Sequence, residues 1–330
     1  MDRNLALNLV RVTEVAAIRA SYELGRGDKE KADQAGVDGM RSMFNELDMI
    51  GTVVIGEGEM DEAPMLYIGE KVGKGVEGQT PEVDIAVDPV DGTTLVASGR
   101  PNAITVLAVA PKGCLLHAPD MYMQKLVAGP ECVGVVGIDK TVEENIKAVA
   151  KAKNKEVSDV VVAVLDRPRH KHIIDEARKV GARIKLFSAG DIAMALATCF
   201  EDANVDIMLG TGGAPEGVIS AAAIKAMGGV IEARLVPQNE EQKRRCKDMG
   251  IEDINHILFM EDLVKGDECI FSATGITDGD FLKGVKFLPD SKVKTNSLVL
   301  RAETGTIRFV EAIHDLNKKP EYVLNKQRDN

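Results

Sequence analysis

Between residues 160 and 227 the chain alternates short β-branched runs with helical ones, and no other feature limits its fold as much. Residues 160–165 are uniformly apolar, 171–180 have helical spacing, and 183–187 read as a strand. A helix over 192–199 and a strand over 205–209 follow, then a helix over 218–227 that stops at Gly228-Gly229. Strand, helix, strand in succession predicts an open α/β layer, because parallel neighbours need a crossover connection. A further helix is expected over 141–153.

The first half reads differently. Leu5, Leu9, Val12, Ala16 and Ala20 recur at helical spacing over 4–24, and Met40, Met43, Phe44 and Leu47 mark a second helix over 29–47. Strands are expected over 52–55 and 83–87. Residues 103–110 and 114–118 flank Pro111-Lys112-Gly113 as a hairpin. The stretch 268–313 reads mostly as strands with Gly-rich turns. The expected class is therefore α/β, with an α+β N-terminal half and an α/β C-terminal half. At roughly 150 residues per domain, the 330 residues suggest two domains. The polar stretch 154–159 places the expected boundary, giving 1–155 and 156–330.

Charge narrows the partners. The formal net charge is −11 and the pI about 5.1, which repels nucleic acid and small anions alike. A phosphorylated substrate would need positive charge supplied locally, by metal ions or a few Arg and Lys. No apolar run reaches 18 residues, so no membrane span is expected, and residues 1–10 lack the pattern of a signal peptide. The five cysteines are scattered and form no Cys-x-x-Cys pair. They predict reduced thiols in a cytoplasmic protein.

The strongest chemical signal is Asp88-Pro89-Val90-Asp91-Gly92-Thr93-Thr94, directly after the strand over 83–87. Pro89 holds Asp88 extended, and Gly92 permits a tight bend that exposes amides. Two carboxylates beside free amides and a Thr hydroxyl suit a hard cation and a phosphate together; Mg²⁺ and Mn²⁺ prefer such oxygen ligands. Gly56-Glu57-Gly58-Glu59-Met60-Asp61-Glu62 also follows a strand, and reads either as a solvated acidic loop or as part of a ligand site at strand carboxyl ends. Gly210-Thr211-Gly212-Gly213-Ala214-Pro215-Glu216-Gly217 reads as a Gly-rich strand-to-helix turn aimed at an anion. Glu216 suits either a helix-start acid or a metal ligand. Arg167-Pro168-Arg169-His170 is a phosphate clamp or a basic surface turn. Gly73-Lys74-Gly75-Val76-Glu77-Gly78 fits the dinucleotide fingerprint by letter only; it follows an expected helix and lacks the strand-turn-helix context. His117, His172, His256 and His314 show no metal spacing.

The Asp88–Thr93 motif resembles that of the lithium-sensitive, metal-dependent phosphatases. More narrowly, five stretches resemble class II fructose-1,6-bisphosphatases: GTVVIGEGEMDEAPMLY from Gly51, APDMYM from Ala118, residues 167–170, GGAPEGV from Gly212 and IFSATG from Ile270. They are collinear across residues 1–315. The resemblance implies a layered α-β-α-β-α sugar-phosphatase fold, with a metal-binding domain and a sugar-phosphate-binding domain. It implies Mg²⁺ or Mn²⁺, two or more per active site. Asp33 and Glu57 match the ligands of one metal; Asp88, Asp91 and Glu216 match those of another. Asp61, with Thr93 and Glu57, matches the catalytic group. Asp91, Gly92, Thr93, Tyr122, Arg167, Pro168, Arg169, Gly190, Asp191 and Gly213 match sugar-phosphate contacts. The implied reaction is hydrolysis of the 1-phosphate of fructose 1,6-bisphosphate in gluconeogenesis, by a homodimer or homotetramer.

The chain departs from the family pattern at Asp91 (usually Glu), Arg167 (usually Lys) and Ala189 (usually Asp). Ala189 cannot accept a hydrogen bond from a sugar hydroxyl. That keeps open a sedoheptulose-1,7-bisphosphatase or a broader sugar or inositol phosphatase. A non-catalytic sugar-phosphate sensor is the alternative from another class.

Overall fold

A computed structural model describes residues 4–58, 65–248, 250–320 and 323. In chain order the strands are β1 Ile50–Ile55, β2 Lys71–Val72, β3 Glu82–Asp91, β4 Ile104–Pro111, β5 Tyr122–Ala128, β6 Val161–Leu165 and β7 Arg183–Phe187. They continue with β8 Ile207–Gly213, β9 Val230–Val236, β10 Ile270–Gly275, β11 Lys286–Leu288, β12 Lys292–Arg301 and β13 Thr306–Asp315. The helices are α1 Leu5–Ser21, α2 Lys29–Phe44, α3 Thr93–Ser98, α4 Val142–Ala152 and α5 Lys171–Val180, then α6 Asp191–Ala197, α7 Ala214–Ala226, α8 Glu240–Asp248 and α9 Met260–Leu263. The class is α/β, as expected, with both sheets mixed. Among the described residues no helix is long and apolar enough to cross a membrane.

The chain divides into two units, one of residues 1–115 with 267–330 and one of residues 116–266. This partition differs from the expected break at 155/156. The physical reason is strand pairing. β10 lies antiparallel to β4, from Ile270 opposite Val109 to Gly275 opposite Ile104, so the C-terminal strands complete the sheet begun by the N-terminal ones. The polar stretch at 154–159 is only the connection between α4 and β6.

In the first unit the sheet runs β11-β12-β10-β4-β3-β1-β2, with β13 on β12. β1 and β3 are parallel neighbours, so their carboxyl ends lie at the same edge. α1 packs on β4, β10 and β12 and also against α2, while α2 packs on β3. Contact on several sides explains why α1 buries Val10, Thr13, Ala17 and Ile18 besides Leu9, Val12, Ala16 and Ala20 of the expected stripe, whose first member, Leu5, is half-buried. Buried Thr13 is satisfied: its hydroxyl donates to Val10 O at 3.0 Å, accepts from Thr274 Oγ1 at 2.8 Å and lies 3.1 Å from Ser272 Oγ. Asp28 caps α2 by accepting the Lys31 amide at 3.1 Å. The hairpin expected from 103–118 does not form, because both edges of β4 are taken, by β3 and by β10. The fingerprint-like glycines 73–78 follow the two-residue strand β2, not a helix, and lead into β3 without one.

In the second unit the sheet runs β7-β6-β8-β5-β9. β6 is parallel to β7 and β8, which is the expected α/β element. β5 and β9 add antiparallel strands that the sequence reading did not contain. Leu126, Val162, Val164 and Leu209 from the sheet pack with Ile146, Val149, Ile173 and Ala177 from α4 and α5.

Candidate active site

In the first unit the acids gather at the carboxyl ends of β1 and β3. Glu57 follows β1 by two residues. Its backbone is fixed by the Glu57 N–H donating to Leu66 O at 3.0 Å, and a side chain at Gly56 would collide with that same carbonyl. Leu66 is itself held by its amide donating to Glu70, whose other oxygen accepts from Arg41 Nε at 2.6 Å. Asp33 sits on α2, one turn before Gly36. A Cβ on Gly36 would come 2.6 Å from Val90 Cγ2 and 3.1 Å from Pro89 O, so glycine lets α2 seat directly on the Asp88–Asp91 strand end.

Asp33 and Glu57 share a hydrogen bond. Burial, the Asp33 charge and that bond push the Glu57 carboxyl up to about 8. Burial also raises Asp33, while the bond from Glu57 acts the other way. The proton therefore resides on Glu57, which donates to Asp33. At about 4 Å and an effective dielectric of about 20, two unit like charges repel by about 4 kcal/mol, and sharing a proton removes that cost.

The Asp88 motif differs from the expected turn. β3 runs on through Asp91, with its register against β4 shifting between Asp88 and Asp91. Pro89, which has no N–H to give a ladder, lies in that irregularity, and its carbonyl accepts from buried Thr105 Oγ1 at 2.7 Å. Asp88 Oδ1 accepts the Val90 amide at 3.1 Å, closing an Asx turn. Asp91 is buried. The expected bend falls at Gly92, whose φ of 98° is left-handed, and Thr93 opens α3. Asp61 lies outside the described residues.

In the second unit Pro168 holds Arg167 extended, at φ −142° and ψ 146°, so the two arginines diverge from the end of β6. Arg167 reaches the β7 side, donating to Ser188 O at 2.9 Å and to Asp166 O at 2.8 Å. Arg169 reaches β8, where Nε and Nη2 both donate to Thr211 O, at 3.1 and 2.7 Å. That carbonyl occupies two of its five donors. Its guanidinium lies 4.7 Å over the exposed Tyr122 ring. Buried His170 pins the same strands. Its Nε2 accepts the Thr211 amide at 2.8 Å, so its proton is on Nδ1, which donates to Leu165 O at 2.7 Å. Burial first, then the Arg169 charge, lower its pKa.

The Gly-rich segment is not the expected turn. β8 continues through Gly213 and α7 starts at Ala214, because residues 210–213 pair with β5 from Lys125 to Tyr122. The glycines make room instead. A Cβ on Gly212 would collide with Asp191 Oδ2, and one on Gly213 with Glu216 Oε2. Gly190, at φ 87°, caps α6, and Asp191 opens it. Lys125, absent from the sequence-based site, donates from Nζ to Asp191 Oδ2 at 2.8 Å and to Gly213 O at 3.0 Å. Glu216 is half-buried, and its buried Oε2 has no hydrogen-bond partner. Burial raises its pKa, Lys125 opposes that, and Asp191 adds to it.

Within the first unit the structure brings Asp33 to Glu57 and sets both beside the Asp88–Thr93 end of β3. Within the second it brings Tyr122 to Arg169, and Asp191 to Gly213. Among the described residues no group of three or more His, Cys, Asp or Glu side chains converges as a metal centre. The donor chemistry nonetheless fits a hard divalent cation. The Asp33–Glu57 pair, whose shared proton a cation would displace, and the orphaned Glu216 oxygen are the ligand types such an ion takes. All five cysteines are free thiols.

The chain matches the family described as bacterial fructose-1,6-bisphosphatase, glpX-encoded, over residues 3–314. It is 46% identical, across 97% of each chain, to a protein of Escherichia coli K12 named fructose-1,6-bisphosphatase 1 class 2. It is equally similar to the fructose-1,6-bisphosphatases class 2 of Escherichia coli O6:H1 and Shigella flexneri. A match of this length and identity leaves no room for another assignment, and the chain belongs to the glpX-encoded bacterial fructose-1,6-bisphosphatase family.

Proposed function

We propose that the protein is a metal-dependent phosphatase that hydrolyses the 1-phosphate of fructose 1,6-bisphosphate, giving fructose 6-phosphate and phosphate. The Asp33–Glu57 acid pair beside the Asp88–Thr93 strand end carries this reading, because two half-buried carboxylates held together are a cation site in waiting. In the first unit Asp33 and Glu57 would hold one Mg²⁺ or Mn²⁺ and Asp88 and Asp91 another; in the second unit Glu216 is the candidate metal ligand. When bound, such ions neutralise charge on the phosphoryl oxygens and acidify water.

The chain's own residues do the rest. Asp61, with Thr93, orients and deprotonates the attacking water. The backbone at Gly92 and Thr93 holds the scissile phosphate at the sharp end of β3. Arg167 and Arg169, anchored on carbonyls of neighbouring strands, clamp the second phosphate, and the Tyr122 ring backs Arg169. Asp191, Gly190 and Gly213 line the sugar. A cytoplasmic homodimer or homotetramer acting in gluconeogenesis is the matching setting.

Asp88→Ala should lower kcat by about 10²-fold or more, as losses of single catalytic groups do. Phosphate release within tenfold of the parent would reject the cluster. Ala189 favours one second reading, a phosphatase for sedoheptulose 1,7-bisphosphate or a wider range of sugar phosphates. Comparing kcat/KM across these substrates with Mg²⁺ or Mn²⁺ decides, and binding without turnover would mark a sensor.

A further inference from the structure

We propose that Lys125 is a positioning residue for substrate in the second unit, fixing the Asp191 carboxylate and the Gly213 carbonyl through one buried ammonium. The proposal rests on the reading of this unit as the sugar-phosphate site.

Lys125 stands in the middle of β5, where its neighbours Leu126 and Val127 are core residues, and it is 3% exposed. A buried lysine is costly unless its charge is paired and its donors are used. Here the ion pair with Asp191 measures 2.8 Å and the bond to Gly213 O measures 3.0 Å. These two partners come from different elements. Asp191 opens α6, and Gly213 ends β8 just before α7, so the ammonium ties both helix starts to β5. A buried ion pair is weak support for stability, since apolar side chains of similar volume serve as well. What the pair does supply is one fixed direction for the Asp191 carboxylate. Glycine at 212 is the second half of the device. Its missing Cβ is the space that the Asp191 oxygen occupies, and that Cβ would also lie 3.1 Å from Lys125 Nζ. Lys125 touches no reacting atom in this scheme; it acts through Asp191.

The test is steady-state kinetics on fructose 1,6-bisphosphate at saturating Mn²⁺ for Lys125→Met, Gly212→Ala, Asp191→Asn and the Lys125→Met/Asp191→Asn double variant. Loss of a charge-assisted contact made in the ground state should raise KM about tenfold or more and leave kcat within about threefold. A merely structural role lowers the active fraction and therefore apparent kcat, and leaves KM where it was. Gly212→Ala should show the same KM rise, since it displaces the carboxylate while removing neither charge of the pair. The double variant should match the worse single variant within about threefold, because both act through one contact. KM within twofold of the parent in Lys125→Met and Gly212→Ala, or effects that multiply in the double variant, overturns the proposal. If Lys125→Met fails to fold by circular dichroism, Gly212→Ala alone decides by the same criterion. A parent enzyme without turnover overturns instead the functional reading beneath it.

Discussion

The shared proton of Asp33 and Glu57 should make the stability of the metal-free protein depend on pH. An unfolded Glu57 loses its proton near 4.5, whereas the folded one keeps it up to about 8. Between those values the folded chain binds more protons, so its stability falls as pH rises, the reverse of a salt-bridged carboxylate. In the metal-free protein the thermal midpoint should therefore decline from pH 5 toward pH 8. Glu57→Gln, which keeps the hydrogen bond but cannot ionise, should flatten the slope. Mn²⁺ should restore the midpoint most at pH 8, where displacing the proton costs least. Melting curves with chelator and with Mn²⁺ measure all of this. An unchanged slope in Glu57→Gln would show that the pair is not the source.

At the scale of elements, two glycines of α2 separate packing from function. A Cβ on Gly36 meets Val90 Cγ2 and the Pro89 carbonyl, whereas one on Gly39 meets the α1 backbone at Ala16 and Val15. Alanine gains about 1 kcal/mol of helix propensity at either position, against about 1–3 kcal/mol for overpacking. Both variants should stay folded, with urea midpoints changed by less than about 2 kcal/mol in equivalent stability. Gly36→Ala pushes on the strand end that carries Asp88 and Asp91, so its kcat/KM should fall by about tenfold or more, as small displacements of catalytic groups do. Gly39→Ala should keep activity within about threefold. Equal losses in the two would refute the division. What the sequence showed of these elements follows the same physics. α1, α2 and α5 were legible because apolar residues recur at helical spacing, and the bend at Gly92 because glycine there permits a left-handed φ, whereas the continuation of β3 through Asp91 was not. β5 was not, because its run is interrupted by Lys125, whose burial depends on Asp191, 66 residues later. The Gly-rich strand end read as a turn for the same reason, since its ladder partner was the unseen β5. Within the first unit, Asp33 stands on α2 with no motif around it, and only its hydrogen-bonded partner Glu57, 24 residues later, singles it out.

At the scale of the whole molecule, the order of the chain and the order of folding should differ. The second unit is a continuous stretch, and it closes on itself where the Leu116 amide donates to Leu263 O at 2.9 Å. An insert whose ends meet is the kind of unit that folds alone. The first unit is assembled from both chain ends, because β4 has β10 as one of its two neighbours. Sequence separation of that size makes pairing slow and exposes β4 as an open edge until β10 arrives. Residues 116–266 expressed alone should therefore show cooperative unfolding and resist limited proteolysis. Residues 1–155, the fragment suggested by the polar stretch after α4, should not, since β10 and β12 are missing from the sheet on which α1 packs. In the intact protein, protease should find the first unit before the second during refolding. A stable, cooperatively unfolding 1–155 fragment would mean that the C-terminal strands decorate a finished sheet and do not complete it.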